Sequence, residues 1–378
     1  MRSHSAPGTA QRTLDSAQEF AACRDQFFAT PLADTVIPWC FPGQSRAQVR
    51  EQTLAFRGTE DFQYAYVDPL LQRVLRDTAA GLHIAGLEQL DRERKYLFIC
   101  NHRCIVTDAA LVSLNLLSSG RGTCKVCVGD NLMASPGVAE LMLLLNGVVI
   151  KRSGARRDVY AGAQQVAHYL ARQIAEQRYS VWLSQSPGRT KDGNDHTDPA
   201  IIKMLALAGA RSAADFAQLH IVPVAISYEY EPCAVAKVRE TLLRRRHGNY
   251  QKAPGEDLAQ IRASLVADKG RVQLAFGQEL QLAELAPEHM VAQVVAQIDA
   301  QIWQLYRCWD SHHTADALLR QVPGALDSTY AQSFAAQIAH QAQQLAAMGL
   351  DRAEAQQALL QLYAQPLRNA QGSACAKA

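Results

Sequence analysis

Between residues 96 and 228, short apolar runs alternate with segments of helical period, and that rhythm leaves few folds open to the chain. The runs read YLFIC (96–100), CKVCVG (124–129), VVIK (148–151), YSVWLS (179–184) and HIVPVAISY (220–228), with RVQLAF following at 271–276. Runs of this length bounded by turn residues are strands. Between them lie helical segments at 109–118, 136–146, 159–177, 200–208 and 213–218. The longest, 159–177, carries Val166, Tyr169, Leu170 and Ile174 on one helical face. Strand and helix in turn predict an α/β fold, a mixed β-sheet flanked by helices.

Upstream, 45–56 and 69–80 read as helices, 82–86 as a short strand and 91–95 as a turn. Residues up to 42 read as irregular, punctuated by Pro31, Pro38 and Pro42, and their start, MRSHSAPGTAQRTLD, lacks the apolar core of a secretion signal. From 287 onward the chain is rich in Ala and Gln and predicts helices at 287–309, 328–348 and 353–362, with no fixed repeat. The expected organisation is a flexible leader over 1–42, an α/β domain over 43–285 and a helical C-terminal extension over 286–378. That extension either packs on the sheet or serves as an interaction arm.

Charge and cysteine usage narrow the partners. With 38 basic and 36 acidic side chains the net charge is +2, and no basic tail or aromatic-basic repeat is present, so nucleic acid is not an expected partner. The longest apolar stretch, 132–150, is interrupted by Pro136, Glu140 and Asn146 and falls short of the ~20 residues a spanning helix requires. The nine cysteines are odd in number and widely spread, which suits reduced thiols and a cytoplasmic location. Cys124 and Cys127 form a CxxC, but inside a strand their side chains leave on opposite faces. No second pair follows, so no metal site is expected.

The chemistry concentrates in NHRCIVTD, residues 101–108. His102 follows a strand end, where open α/β sheets place their sites, and Asp108 sits near the first turn of the next helix. A neutral imidazole accepts a proton from an attacking hydroxyl, and a carboxylate behind it fixes the tautomer. Three further blocks follow: GVVIKR (147–152), WLSQSPGRTKDGNDHTDPAIIK (182–203) and IVPVAISY (221–228). If these strands share a sheet, His102, Asp108, Arg152, Arg189 and Lys191 are expected on one rim. Arg binds phosphate oxygens in bidentate fashion and Lys adds a point charge, so a base beside such cations suits a hydroxyl substrate carrying phosphate. Asp198 before Pro199 reads as a helix N-cap, and Cys104 as a buried thiol rather than a nucleophile.

The order of these blocks resembles the glycerol-phosphate/lysophosphatidate acyltransferase superfamily, over roughly 82–228. Its hallmarks are NH-x4-D, a Gly-x-x-Phe-Ile-x-Arg-like strand, a Phe-Pro-Glu-Gly-Thr-Arg-like loop and a Val-Pro-Val strand. NHR-x-I-x-x-D and KDGND-x-T match a bacterial branch more closely. The resemblance implies transfer of a fatty acyl group from acyl-CoA or acyl carrier protein to a glycerol phosphate or lysophospholipid. These co-substrates are the partners, and no cofactor is implied. It assigns His102 as general base, Asp108 as its orienting carboxylate, Arg152 and Arg189 as acceptor-phosphate ligands, and Gly188 and Lys191 to the substrate-binding loop. With a fatty donor, peripheral contact at the inner face of the membrane is compatible with a cytoplasmic protein, and the apolar helix 136–146, with Leu141 to Leu145, suits an acyl groove, a bilayer contact or a buried core.

Three departures stand out. His102 and Asp108 are separated by five residues instead of four, so the turn before the helix must absorb one more. Cys104 replaces an aspartate of the bacterial branch, and Pro187 replaces the glutamate of the Glu-Gly loop. The last two motivate an alternative reading: a non-catalytic acyl- or lipid-binding protein on the same scaffold.

Overall fold

The computed structural model describes residues 13–130, 133, 137–209, 212–253, 255–282 and 289–375. Along the chain these are α1 (Ala17–Ala29), α2 (Pro31–Cys40), α3 (Arg46–Thr53), α4 (Thr59–Phe62), a π-helical turn (Gln63–Val67) and α5 (Asp68–Thr78). Next come β1 (Ala79–Ala85), β2 (Leu97–Cys100), α6 (Thr107–Ser118), β3 (Cys124–Gly129), α7 (Val138–Leu144), β4 (Gly147–Ile150) and α8 (Arg156–Ala175). They lead to β5 (Ser180–Ser184), α9 (Pro199–Ala206), α10 (Ala213–Ala217), β6 (Ile221–Tyr228), α11 (Ala234–His247), α12 (Glu256–Val266) and β7 (Gly270–Phe276). Four helices close the chain: α13 (Met290–Leu305), α14 (Asp310–Leu319), α15 (Thr329–Ala347) and α16 (Arg352–Cys375).

The seven strands form one sheet in the order β1-β7-β6-β2-β5-β3-β4. All neighbours are parallel except β6 and β7, which run antiparallel. The sheet is therefore mixed, as the sequence predicts. Every residue of β2, β5 and β6 is buried, because helices cover both faces of the centre. One face packs on α8, α9 and α13, with Ile99, Leu183, Leu170, Ile202, Val294 and Ile298 in its core. The other packs on α5 and α6, with Phe98, Trp182, Ile226, Leu111 and Val112. Cys127 lies in the first core and Cys124 in the second, the opposed placement expected of the CxxC. Pro223 is tolerated inside β6 because its carbonyl, and hence its missing N–H, faces β7, whose ladder with β6 begins only at Val224.

The terminal regions differ from expectation. Residues 17–40 are not a flexible leader: α1 and α2 bury Phe20, Cys23, Phe27, Phe28, Ala33 and Ile37 against Leu143 and Leu144 of α7. Pro31 starts α2 at the position where a proline costs no hydrogen bond. Just before α1, the buried Lys125 of β3 bonds the Leu14 carbonyl at 2.9 Å and pairs with Asp15 at 3.0 Å. Residues 1–12 lie outside the described residues.

At the other end, the division expected at 285 falls outside the described residues, yet α13 beyond it is part of the sheet's own core. The helix expected over 287–309 stops at Leu305. The chain then runs extended through Tyr306 to Trp309 before α14 begins. α14, α15 and α16 pack on α11 in a separate core containing Val238, Leu242, Phe334, Leu345, Leu359 and Tyr363. α11, where the sequence predicts no element, carries those helices, and α12, likewise unpredicted, lies against α5.

Candidate active site

β2 ends because Asn101 replaces its backbone pairing with a side chain. Its amide nitrogen donates to the Ile226 carbonyl at 3.0 Å, and its amide oxygen accepts from the Ile226 N–H at 2.8 Å. The chain can then leave the sheet with the β6 groups satisfied. His102, the next residue, is only 13% exposed at its side chain, and its Nδ1 lies 2.9 Å from Asp108 Oδ2. The ring stands edge-on to Trp182 of β5, centroids 5.3 Å apart.

Asp108 is fully buried in the first turn of α6. Its Oδ2 also accepts the backbone N–H groups of Arg103 (2.6 Å) and Cys104 (2.8 Å). The additional residue between His102 and Asp108 is thus absorbed in a turn that aims two consecutive N–H groups at the carboxylate. Asp108 Oδ1 accepts from the Tyr228 hydroxyl at 2.7 Å, and that hydroxyl also meets Thr107 Oγ1 at 2.7 Å. Four donors thus surround the carboxylate at the N-terminal end of α6. With Nδ1–H donating to Asp108, the His102 Nε2 lone pair is the one available to a substrate proton.

The KDGND loop supports this dyad from behind. Arg103, almost completely buried, pairs with Asp195, lies 3.4 Å from Glu231, and stacks over Tyr306 with its guanidinium carbon 5.0 Å from the ring centroid. Asp195 also accepts from Thr190 Oγ1 at 2.6 Å and from Asn101 Nδ2 at 3.3 Å. The Thr190 N–H donates to the His102 carbonyl at 2.9 Å. Trp303 Nε1 of α13 donates to the Asp195 carbonyl at 2.6 Å, and Thr197 is held by Asp299 at 2.6 Å. Gly193 adopts φ +83, and a Cβ there would collide with the Leu362 carbonyl of α16, so the loop and that helix approach backbone to backbone. Asp198 caps α9 through the Ala200 N–H, as predicted.

The cations expected on one rim come from different elements. Arg152 is exposed beyond β4, which β3 and β5 separate from β2, and the nearest carboxylate acting on it is Asp130. Because β2, β5, β3 and β4 run parallel, Arg152 leaves the same end of the sheet as His102, with two strands between them. Arg189 and Lys191 do flank the loop bonded to His102, but both turn toward α11 and α12. Arg189 is buried, with Nη2 on Gln260 Oε1, while Nη1 has no hydrogen-bond partner among the described residues. Lys191 pairs with Glu240 at 2.7 Å, and burial together with Arg189 lowers its pKa to about 8. Gly188 sits between them and Pro187 with φ +85 and open space around it. The Cys104 thiol is fully buried against Cys233.

An apolar cleft begins on the turn that follows His102. Ile105, Val106, Ala109 and Ala110 form one wall, and Val126, Val128, Met142 and Leu145 another. Leu143 and Leu144 of the same helix α7 are core residues, so α7 divides its apolar surface between core and cleft. A larger cavity of about 690 Å³ lies between α11, α12 and α15, and neither His102 nor Asp108 lines it.

Sequence reasoning missed Tyr228, Thr107, Trp182, Arg103 and Asp195. The parity of β6 was a usable signal: Val224, Ile226 and Tyr228 share the face that packs on α6, so a polar tip at the strand end falls beside the first turn of α6.

Residues 81–227 match the family model described as Acyltransferase. Among solved structures the chain is similar to the crystal structure of the 1-acyl-sn-glycerophosphate acyltransferase PlsC from Thermotoga maritima. The two share 14% identity with a TM-score of 0.39, over 73% of this chain and 92% of that one. No curated protein matches the chain.

Proposed function

Residues 81–227 belong to the acyltransferase family, and from that premise we propose that the protein moves a fatty acyl group from acyl-CoA or acyl carrier protein to a hydroxyl of a glycerol phosphate or lysophospholipid. The observation that carries this reading is the contact of His102 Nδ1 with Asp108 Oδ2 at 2.9 Å, on a carboxylate held by three further donors. His102 Nε2 takes the proton of the acceptor hydroxyl as its oxygen attacks the thioester carbonyl. The tetrahedral intermediate collapses, the C–S bond breaks, and the imidazolium returns its proton to the departing thiolate. Asp108 stabilises the imidazolium without itself taking the proton. A positioned base of this kind contributes about 10²–10⁴-fold.

Two features support the substrate class. The cleft beside Ile105 and Val106 is apolar, and its volume of about 80 Å³ holds a few methylenes of an acyl chain. Arg189 retains an Nη1 without a partner among the described residues, which suits a phosphate oxygen of the acceptor, with Lys191 and the Gly188 turn beside it. Arg152, at the same end of the sheet two strands away, is a further cation for the acceptor phosphate. No helix among the described residues is long and apolar enough to cross a membrane.

The test is thiol release from palmitoyl-CoA by the wild type and His102→Ala, with glycerol 3-phosphate, a lysophosphatidate or no acceptor. Acceptor-stimulated release that disappears in the variant supports the mechanism and names the acceptor class. Release that survives His102→Ala overturns it. Acyl-CoA binding with no release by the wild type would favour the non-catalytic reading.

A further inference from the structure

We propose that Tyr228 is a positioning residue of the reaction, holding Asp108 in the orientation that directs the His102 imidazole. The inference rests on the acyl-transfer reading for its kinetic part, but its geometry stands independently. Asp108 Oδ2 carries three donors: His102 Nδ1 and the N–H groups of Arg103 and Cys104. Its Oδ1 has one, the Tyr228 hydroxyl at 2.7 Å. Without that donor the buried Oδ1 would face no hydrogen bond, and a carboxylate anchored through one oxygen alone can rotate about its Cβ–Cγ bond. Two-point anchoring fixes the carboxylate plane, and with it the direction of the imidazole.

The hydroxyl is itself well placed. Tyr228 is the last residue of β6, a strand adjacent to β2, and is only 2% exposed. Its ring packs among Val224, Ile226 and Val272 on the α6 side of the sheet. Thr107 Oγ1, at 2.7 Å, restricts rotation of its O–H. Burial and the Asp108 charge push its pKa well above the usual phenol range, so it remains a neutral donor at any working pH. A strand holds the donor more rigidly than a loop could, which suits a supporting contact to a catalytic pair.

The substitution is Tyr228→Phe, which keeps the ring and removes only the hydroxyl. We expect kcat to fall ten- to hundredfold with KM for donor and acceptor unchanged, as for an interaction that serves only the transition state. In an Asp108→Asn background the same substitution should cost nothing further, because the group it positions is already gone. A merely structural role would instead add the same loss in both backgrounds. A second readout needs no turnover: the downfield proton resonance of His102 Nδ1–H, assigned by its absence in His102→Ala. In Tyr228→Phe it should broaden through exchange with water while the melting temperature stays within a few degrees. Tyr228→Phe that keeps both its kcat and the resonance overturns the proposal. If wild type turns over none of the substrates offered, the acyl-transfer reading fails by itself and the resonance alone decides the role of Tyr228.

Discussion

Arg103 lies over the ring of Tyr306, its guanidinium carbon 5.0 Å from the ring centroid. One partner neighbours the proposed base, and the other belongs to the extended segment between α13 and α14. With Asp195 and Glu231 at its other edges, Arg103 joins the NHR turn, the KDGND loop, the β6–α11 connection and the C-terminal helices at one buried point. KDGND is therefore a structural motif here as much as a substrate loop: its last aspartate neutralises Arg103 and its glycine admits α16.

Arg103→Met leaves Asp195 buried without a counter-ion, while Glu231 keeps Lys237 at 3.1 Å. Breaking a buried pair on one side costs about 3–5 kcal/mol, so urea denaturation should show an unfolding free energy lower by that amount. A cost below 1 kcal/mol would mean that the charges find other partners.

Gly193→Ala is expected to destabilise by more than ~1 kcal/mol, where a replacement at a compatible glycine would stabilise. The backbone at φ +83 disfavours a side chain, and the new methyl group would collide with the Leu362 carbonyl. Thermal melts should show the loss, and hydrogen exchange should place the loosening in α16 as well as in the loop.

His312 is fully buried, and burial together with Arg103 pulls its pKa down to about 3. The unfolded chain takes up a proton near pH 6.5 that the folded protein refuses, so stability is full above pH 6.5 and falls as pH drops toward 3. Between pH 6.5 and 5 the loss from this group is about 2 kcal/mol. Denaturation at pH 7.5 and 5.0 should show it in wild type and lack it in His312→Gln. An equal loss in both proteins would assign it to other groups.

Truncation after Ser311 should abolish folding. α15 and α16 cover Val238 and Leu242 of α11 with Phe334, Ile338, Leu345, Leu359 and Tyr363, and their removal exposes that surface. A truncated protein with native circular dichroism and resistance to limited proteolysis would instead make these helices a separable arm.

The central α/β rhythm was legible because strands buried on both faces read as unbroken apolar runs. β3 is predicted residue for residue, and β2, β4, β5 and β6 to within one or two residues. The His102–Asp108 pair was legible because all its spacing is local. What stayed hidden depends on strand order or on contact between distant segments. Arg152 follows a strand as His102 does, and only the strand order shows that two strands lie between them. Tyr228 and Arg103 acquire their roles only when β6 meets α6 and Tyr306 meets the NHR turn. In the first helices the prolines masked a helical apolar spacing at Phe20, Cys23, Phe27 and Phe28, and that spacing proved the better guide.

β1 finds its only sheet neighbour among the described residues in β7, and this sets a timetable for biosynthesis. After β1 leaves the ribosome its hydrogen-bonding edge stays unpaired until residues 270–276 have been made, a wait on the order of ten seconds or more at ordinary elongation rates. Throughout it, the nascent chain presents an open strand and a half-covered core, the kind of surface that chaperones hold and that aggregation recruits. Yield on heterologous expression should therefore depend more on chaperone supply and induction temperature than the finished protein's stability would suggest.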